Sequence, residues 1–184
     1  MNTNKIKKYD IINMIRGVCN MNYITNAKDY SLYIASRYFN KYNKEISSIK
    51  LQKSLYFTFA YWSGFVGKSR LKESEQIINE SPYLFEDEFQ AWVYGPVIPS
   101  IYKEYKDGNI KNVDKNDLFK NNDFLEETIN TLLDDIFEIS DFKLVALSHD
   151  DESWIKNFNK DEERHNKVIK RDDIFLEYTE KAFN

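Results

Sequence analysis

The stretch Gln90-Ala-Trp-Val-Tyr-Gly-Pro-Val-Ile-Pro-Ser-Ile-Tyr102 decides how this chain folds, because it holds two of the three prolines and a glycine among aromatic residues. In an extended segment Trp92 and Tyr94 would lie on the same face, since side chains alternate along a strand. Gly95 tolerates backbone angles that other residues resist, and Pro96 moves the residue before it away from helical geometry. The pattern predicts a strand that ends in a rigid corner.

A helix is predicted directly after that corner. Pro99 suits the first turn of a helix, where the missing N–H is not needed. Ile101, Tyr102 and Tyr105 would form its apolar stripe, and Gly108 is a typical stop. The whole stretch therefore predicts a strand, a corner and a helix.

The composition predicts a folded domain that is not a general nucleic-acid binder. The chain has 184 residues, of which 42% are hydrophobic and 16% aromatic, enough for a sizeable core. A net charge of -4 gives no support for binding nucleic acid directly through a broadly basic surface. The single cysteine, Cys19, cannot form an internal disulfide, and neither a signal peptide nor a long apolar run is visible. We expect a cytoplasmic protein without membrane contact.

The pattern of apolar residues predicts helices over most of the chain. Residues 1–25 are expected to form an appended amphipathic helix, with Ile6, Ile11, Ile12, Ile15 and Val18 on its apolar side, and residues 26–184 a single domain. Asn26 is expected to cap a helix that ends near Tyr42. The next helix, from Ser47 or Ser48 to Val66, is apolar on nearly every side, as is typical of the centre of a bundle. Phe124–Phe137 is predicted to be an amphipathic helix.

The fold class is therefore mainly α, a compact helical domain with a small β-hairpin near residues 83–94. We expect Tyr83–Phe85 to pair with Phe89–Tyr94 across a tight turn at residues 86–88. Three helix caps are also predicted near the end of the chain. They are Asp141, then Ser148 or Asp150 for a segment through Trp154, and Asp172 or Asp173 for the last helix.

Three polar residues interrupt the central helix. Lys50 and Lys53 would contact a partner's carboxylate or phosphate, or form a solvated stripe, or cap nearby strand carbonyls. Gln52, beside the most apolar turns, is expected to be buried and hydrogen-bonded.

The cluster around His149 resembles acid–base or metal chemistry only superficially. His149 is followed by two aspartates and a glutamate, but the other histidine, His165, is sixteen residues away in a charged run. No zinc spacing, phosphate-binding loop or nucleophile motif is present. We therefore expect no metal, no cofactor and no catalytic residues, and interpret the cluster as structural.

Three sequence blocks resemble one known family. They are Ile49-Lys-Leu-Gln-Lys-Ser-Leu-Tyr-Phe57, Ala91-Trp-Val-Tyr-Gly-Pro-Val-Ile-Pro-Ser-Ile-Tyr102 and Leu147-Ser-His-Asp-Asp-Glu-Ser-Trp154. Their order and separation are similar to those of the Panacea domain, of SocA-like and GepA-like phage-associated proteins, over roughly residues 27–184. Ser54 departs from the family pattern, which usually has leucine there, and the N-terminal segment extends beyond the usual start.

The resemblance implies a mainly helical domain and an antitoxin that neutralises a protein toxin by direct binding. Alternatives are a phage or mobile-element protein that inhibits a host defence protein, a proteolytic adaptor, or an enzyme that uses the His149 cluster. The predicted partner-binding residues are Lys50, Lys53, Tyr94, Tyr102 and Tyr105, with the three tyrosines partly exposed. The residues expected to build the structural motif are Gln52, Tyr56, Trp92, Gly95, Pro96, Pro99, His149 and Trp154. The sequence identifies neither the partner nor the oligomeric state.

Overall fold

The structure is a computed structural model that describes residues 23–72, 80–111, 118–160 and 167–183. Within these ranges the chain forms seven helices and three short strands. In chain order they are α1 (Ala27–Tyr42), α2 (Ser48–Leu71), β1 (Phe89–Trp92), β2 (Gly95–Val97), α3 (Pro99–Lys106), α4 (Asp123–Glu138), α5 (Asp141–His149), α6 (Glu152–Ile155), β3 (Val168–Ile169) and α7 (Arg171–Lys181). The predicted fold class, mainly helical with a small β element, is confirmed.

Helix α2 is the centre of the fold, as its apolar sequence predicted. Ser47 caps it by accepting a hydrogen bond from the Lys50 N–H. Every residue from 50 to 60 is buried. The helix continues to Leu71 instead of ending near Val66, because Ser69 and its neighbours still lie against other parts of the fold.

Helices α1 and α4 lie beside each other and are joined by polar contacts. The Asn26 side chain caps α1 by accepting from the Asp29 N–H, as predicted. The Tyr33 hydroxyl donates to Asn130 at 2.6 Å, and Arg37 forms an ion pair with Asp134 at 3.2 Å. The predicted extents of both helices are confirmed to within a residue.

The C-terminal helix α7 packs closely on α2 because α2 has a glycine at the contact. A Cβ atom at Gly64 would lie 2.5 Å from the Tyr178 carbonyl oxygen, so a larger residue would push the helices apart. Because protein interiors are close-packed, there is no free space to accommodate a larger side chain at this position.

The sheet differs from the predicted hairpin in which strands pair. β1 pairs antiparallel with β2, with Ala91 opposite Pro96, and on its other side with β3. The tight turn therefore lies at Val93 and Tyr94, and the residues predicted as a corner, Gly95–Val97, form a strand. Tyr83–Phe85 is buried irregular chain, because its side chains pack into the aromatic core instead of pairing.

All three helix caps predicted near the end of the chain are wrong; those of α5 and α7 are described here and that of α6 below. Ser140, not Asp141, caps α5 by accepting from the Lys143 N–H. Helix α7 begins after Lys170 without a side-chain cap, and Asp172 instead accepts a hydrogen bond from the Tyr83 hydroxyl at 2.6 Å. The buried Tyr83 hydroxyl therefore gives this first-turn aspartate a partner other than the helix N–H groups.

The predicted N-terminal extension lies almost wholly outside the described residues, which begin at Tyr23. Residues 23–25 are not helical, and the Thr25 N–H donates to the Leu84 carbonyl at 2.8 Å. The division of the chain at residues 25 and 26 stays a prediction. None of the described helices combines the length and apolar character needed to cross a bilayer.

Candidate functional site

The outer edge of β2 is covered by two polar side chains of α2. Lys53 Nζ donates to the Pro96 carbonyl at 2.9 Å. Gln52 accepts from the Ile98 N–H at 2.9 Å and donates to the Ile98 carbonyl at 3.4 Å. Edge strands expose unpaired backbone groups, and Pro96 has no N–H to satisfy. Lys53 and Gln52 therefore do what a further strand would do, which explains polar residues in an apolar helix.

Burial changes the acidity of Lys53. Its side chain is 1% exposed, and it forms no ion pair with any charged residue in the described ranges. Burial lowers the pKa of Lys53 to about 7, because a charged ammonium loses its hydration there. The neutral amine can still donate to the Pro96 carbonyl, so near neutral pH the site holds both forms.

The turn between β1 and β2 is held from below by α5 and α6. The Trp154 indole N–H donates to the Trp92 carbonyl at 3.1 Å, and the His149 ring lies against the Trp154 ring. The two rings are stacked, with centroids 4.0 Å apart. Burial, and then the charge of Lys53, lower the pKa of His149, so the neutral imidazole is favoured.

Gly95 is required at the end of this turn. Its φ is +88°, a conformation that L side chains rarely adopt. A Cβ atom there would lie 2.2 Å from the Ser148 hydroxyl and 2.8 Å from Lys53 Nζ. The three sequence blocks that resemble the family therefore meet at this one turn: α2, the hairpin, and the segment around Ser148.

Above these contacts lies an open groove of about 430 Å³, which we call the hairpin groove. It is lined by Ser48, Ile49, Gln52, Lys53, Trp92, Val93, Tyr94, Val97 and Tyr102. Tyr94 is 63% exposed and Val93 48% exposed, while Trp92 is half-buried and contacts Tyr102 edge to face at 5.2 Å. Exposed apolar side chains on a rigid turn are suited to contact another protein.

The predicted partner-binding residues separate into two groups. Lys53, Tyr94 and Tyr102 line the hairpin groove. Lys50 and Tyr105 do not.

Lys50 is buried at the end of α4, where it donates to the Phe137 carbonyl at 3.3 Å and to the Ile139 carbonyl. Tyr105 is half-buried, and its hydroxyl donates to the Ile46 carbonyl at 2.9 Å. Both contacts are internal to the chain. The predicted partial exposure of Tyr94, Tyr102 and Tyr105 is confirmed.

The acidic residues after His149 form a buried network. Asp151 is 2% exposed and accepts hydrogen bonds from Tyr56 at 2.6 Å, from Tyr178 at 2.9 Å and from Lys181. Burial raises the pKa of Asp151, against the opposing effect of Lys181 and Tyr56. All of its contacts join α2, α6 and α7, so the carboxylate organises the fold.

The cap of α6 comes from a residue far away in the sequence. Glu177 accepts hydrogen bonds from the Glu152 and Ser153 N–H groups, both at 2.9 Å. Ser148 and Asp150 do not cap this helix, and Ser148 instead donates to the Val145 carbonyl at 2.8 Å. Burial raises the pKa of Glu177, but Lys181 and these N–H groups outweigh it and hold the value below normal.

No grouping of ligand-type side chains in the described ranges is arranged to hold a metal ion. Sequence reasoning missed two features here. The exposure of Val93 was missed because the sequence predicted the turn at residues 86–88, whereas the turn between the paired strands lies at Val93 and Tyr94. Glu177 gave no sequence signal, because its role is to accept from backbone groups 24 and 25 residues away.

The fold and the groove define a mainly helical domain that presents an apolar turn, supported from beneath by Trp154, to solvent. The family model of antitoxin SocA-like proteins, the Panacea domain, matches residues 71–155. This stretch of the chain is therefore similar to the Panacea domain of SocA-like antitoxins. The match spans just under half of the chain and contains the second and third blocks, while the first, Ile49–Phe57, precedes it. Neither a curated protein nor a solved structure matches the chain.

Proposed function

We propose that this protein is an antitoxin that neutralises a partner protein toxin by direct binding, with the hairpin groove as the contact surface. The observation that carries the proposal is the turn at Val93 and Tyr94, which exposes apolar side chains while the Trp154 indole N–H donates to the Trp92 carbonyl beneath it. The family match over residues 71–155 supplies the antitoxin class.

The rigidity of the turn favours tight binding. Ordering a loop on association costs free energy, and a turn that is already fixed avoids much of that cost. Tyrosine and tryptophan are the residue types most often found at the energetic centre of interfaces. A stable complex buries at least about 1,000 Å² in total, so the groove would form the centre of a larger contact.

The charge of the chain favours a basic partner. With a net charge of -4, the protein would attract a positively charged toxin, for example one that acts on RNA, and would speed association at low salt. Lys53 at the floor of the groove is buried and already donates to the Pro96 carbonyl, so it would support the contact surface from beneath.

The first experiment is affinity purification of the tagged chain from its native cell, followed by expression of each captured protein alone and together with this chain. We expect one captured protein to stop growth alone and to be harmless in the pair. If the captured partner is harmless by itself, the antitoxin proposal fails, and inhibition of a host defence protein or a proteolytic adaptor role becomes the better account.

The second experiment locates the surface. Tyr94→Ala is expected to weaken toxin binding by about 30-fold or more, the effect of losing an interface hot spot of about 2 kcal/mol. Its melting temperature should stay unchanged, because the side chain is 63% exposed. Phe142→Ala is the matched control, since Phe142 is 84% exposed and lies outside the groove. Loss of binding in the control alone would place the interface elsewhere.

A further inference from the structure

A second apolar surface lies on the opposite half of α2. We call it the aromatic face and define it by Tyr61, Phe65, Phe124, Leu132 and Tyr178. Tyr61, Phe65 and Phe124 are 49%, 39% and 40% exposed. Phe65 stacks on Phe124 with ring centroids 6.1 Å apart, and Tyr61 contacts Tyr178 edge to face at 5.1 Å. Four of the five residues line a cavity of about 330 Å³ between α2, α4 and α7.

Helix α4, which forms one side of this face, is strongly acidic. Between Asp123 and Glu138 it contains six acidic residues and no lysine or arginine. Glu127 and Asp135 are exposed and form no ion pair with the described part of the chain. An apolar cavity beside an unbalanced acidic helix is complementary to a basic amphipathic helix.

The opposite rim of the cavity carries two lysines that are already engaged. Lys181 forms an ion pair with Glu177 at 2.8 Å and contacts Asp151. Lys68 donates to the Ala182 carbonyl at 2.5 Å. A basic occupant would therefore turn its charged side toward α4.

The N-terminal segment of this chain, outside the described residues, has that character. Ile11, Met14, Ile15 and Val18 follow the i, i+3, i+4, i+7 spacing of one helix face. Residues 1–22 contain three lysines and one arginine against one aspartate, a net charge of +3. The remaining residues carry -7, as follows from the total of -4.

The length of the segment fits the distance that it has to span. Tyr23, where the described chain begins, contacts Arg171 at the start of α7. Tyr178 lies seven residues further along α7, roughly 10 Å at the helical rise. Residues 19–22 span roughly 13 Å when extended. A helix over residues 11–18 would extend roughly 10 Å, close to the roughly 12 Å between Phe124 and Leu132 on α4.

We propose that residues 5–18 dock on the aromatic face as an amphipathic helix, with Ile11, Met14, Ile15 and Val18 against the rings and the basic side chains toward α4. The inference is independent of the proposed function, because it concerns how the chain covers its own surface. The toxin would then be left to the hairpin groove on the other half of α2.

The test uses the full chain, whose only cysteine, Cys19, lies in the segment and accepts a nitroxide spin label without any mutation. We expect backbone NMR signals of residues 61–68 and 124–132 to broaden, and those of Val93 and Tyr94 to keep their intensity. Ile15→Asp should remove most of this broadening, because it places a charge against the rings. Asn13→Asp, on the polar side, adds the same charge and should preserve it.

Two results would overturn the proposal. One is that the broadening is absent from the wild-type chain. It would equally count against the proposal if the broadening survived Ile15→Asp, because the tether at Tyr23 alone would then account for it. The other comes from a mixture of two chains, one that carries the spin label without ¹⁵N and one that carries ¹⁵N without the spin label. If the ¹⁵N signals broaden in this mixture as much as in the singly prepared protein, the face is covered by a second copy. Glu127→Lys with Asp135→Lys, which leaves the segment intact, should also reduce the broadening by at least half. Unchanged broadening in that double variant would refute the charge pairing with α4.

Discussion

Replacement of Lys53 by methionine is expected to change how the stability of this protein depends on pH. Methionine preserves most of the volume of the side chain but cannot be protonated. In the folded protein burial lowers the pKa of Lys53 to about 7, whereas in the unfolded chain the pKa stays near its ordinary value of 10.5. Between these values the unfolded state binds more protons, so the free energy of unfolding rises with pH. The destabilisation that results from burying the Lys53 ammonium is fully present below the pKa of Lys53 in the folded state. It disappears as the pH approaches the pKa of Lys53 in the unfolded state.

The magnitude follows from the two pKa values. Each unit of difference corresponds to about 1.4 kcal/mol, so the wild-type protein should gain about 2 kcal/mol between pH 7 and pH 9 relative to Lys53→Met. The variant also loses the hydrogen bond to the Pro96 carbonyl, which costs about 1–3 kcal/mol at every pH. That loss shifts the difference between the two proteins but not its slope with pH.

Urea unfolding curves at half-unit steps from pH 7 to pH 9 would measure this difference. Lys143→Met is the matched control, because Lys143 is exposed and its removal should leave the pH dependence parallel to the wild type. If the pH dependence of the free energy of unfolding of Lys53→Met were also parallel to that of the wild type, Lys53 would be protonated throughout this range in the folded protein. The account of the strand edge as capped by a largely neutral amine would then be wrong.

Two further variants test the support of the turn and the buried network. Gly95→Ala should lower the free energy of unfolding by more than about 1 kcal/mol, because it combines positive φ with a clash against Ser148. Gly108→Ala shares the positive φ, but its nearest contact is 3.7 Å away, so an equal loss in chemical denaturation would contradict the clash. Asp151→Ala should destabilise by about 3–5 kcal/mol in the same assay, since it leaves buried donors unpaired, whereas the exposed Asp150→Ala should change stability little. Similar losses in both would refute the network.

The candidate site was only partly predictable. The sequence indicated Gln52 as buried and hydrogen-bonded, and the structure confirms this. It left Lys53 open between a partner contact and a cap on strand carbonyls, because a helical pattern does not show what lies opposite. The partner that Lys53 caps, the Pro96 carbonyl, is 43 residues away. The strand pairing was misplaced for a similar reason, since Tyr83–Phe85 and Gly95–Val97 are both apolar and both adjoin β1.

The sequence by itself determined the helical class, the central position of α2, the helix that begins at Pro99 and the resemblance to the Panacea family. These depend on local periodicity, on backbone restrictions of glycine and proline, and on contiguous motifs, all of which are properties of neighbouring residues. Only the tertiary structure decided that Glu177 caps α6, that Lys53 covers the edge of β2, and that Val93 and Tyr94 face solvent. The physical reason is that a buried polar group takes whichever partner the packing of distant elements brings within hydrogen-bonding distance.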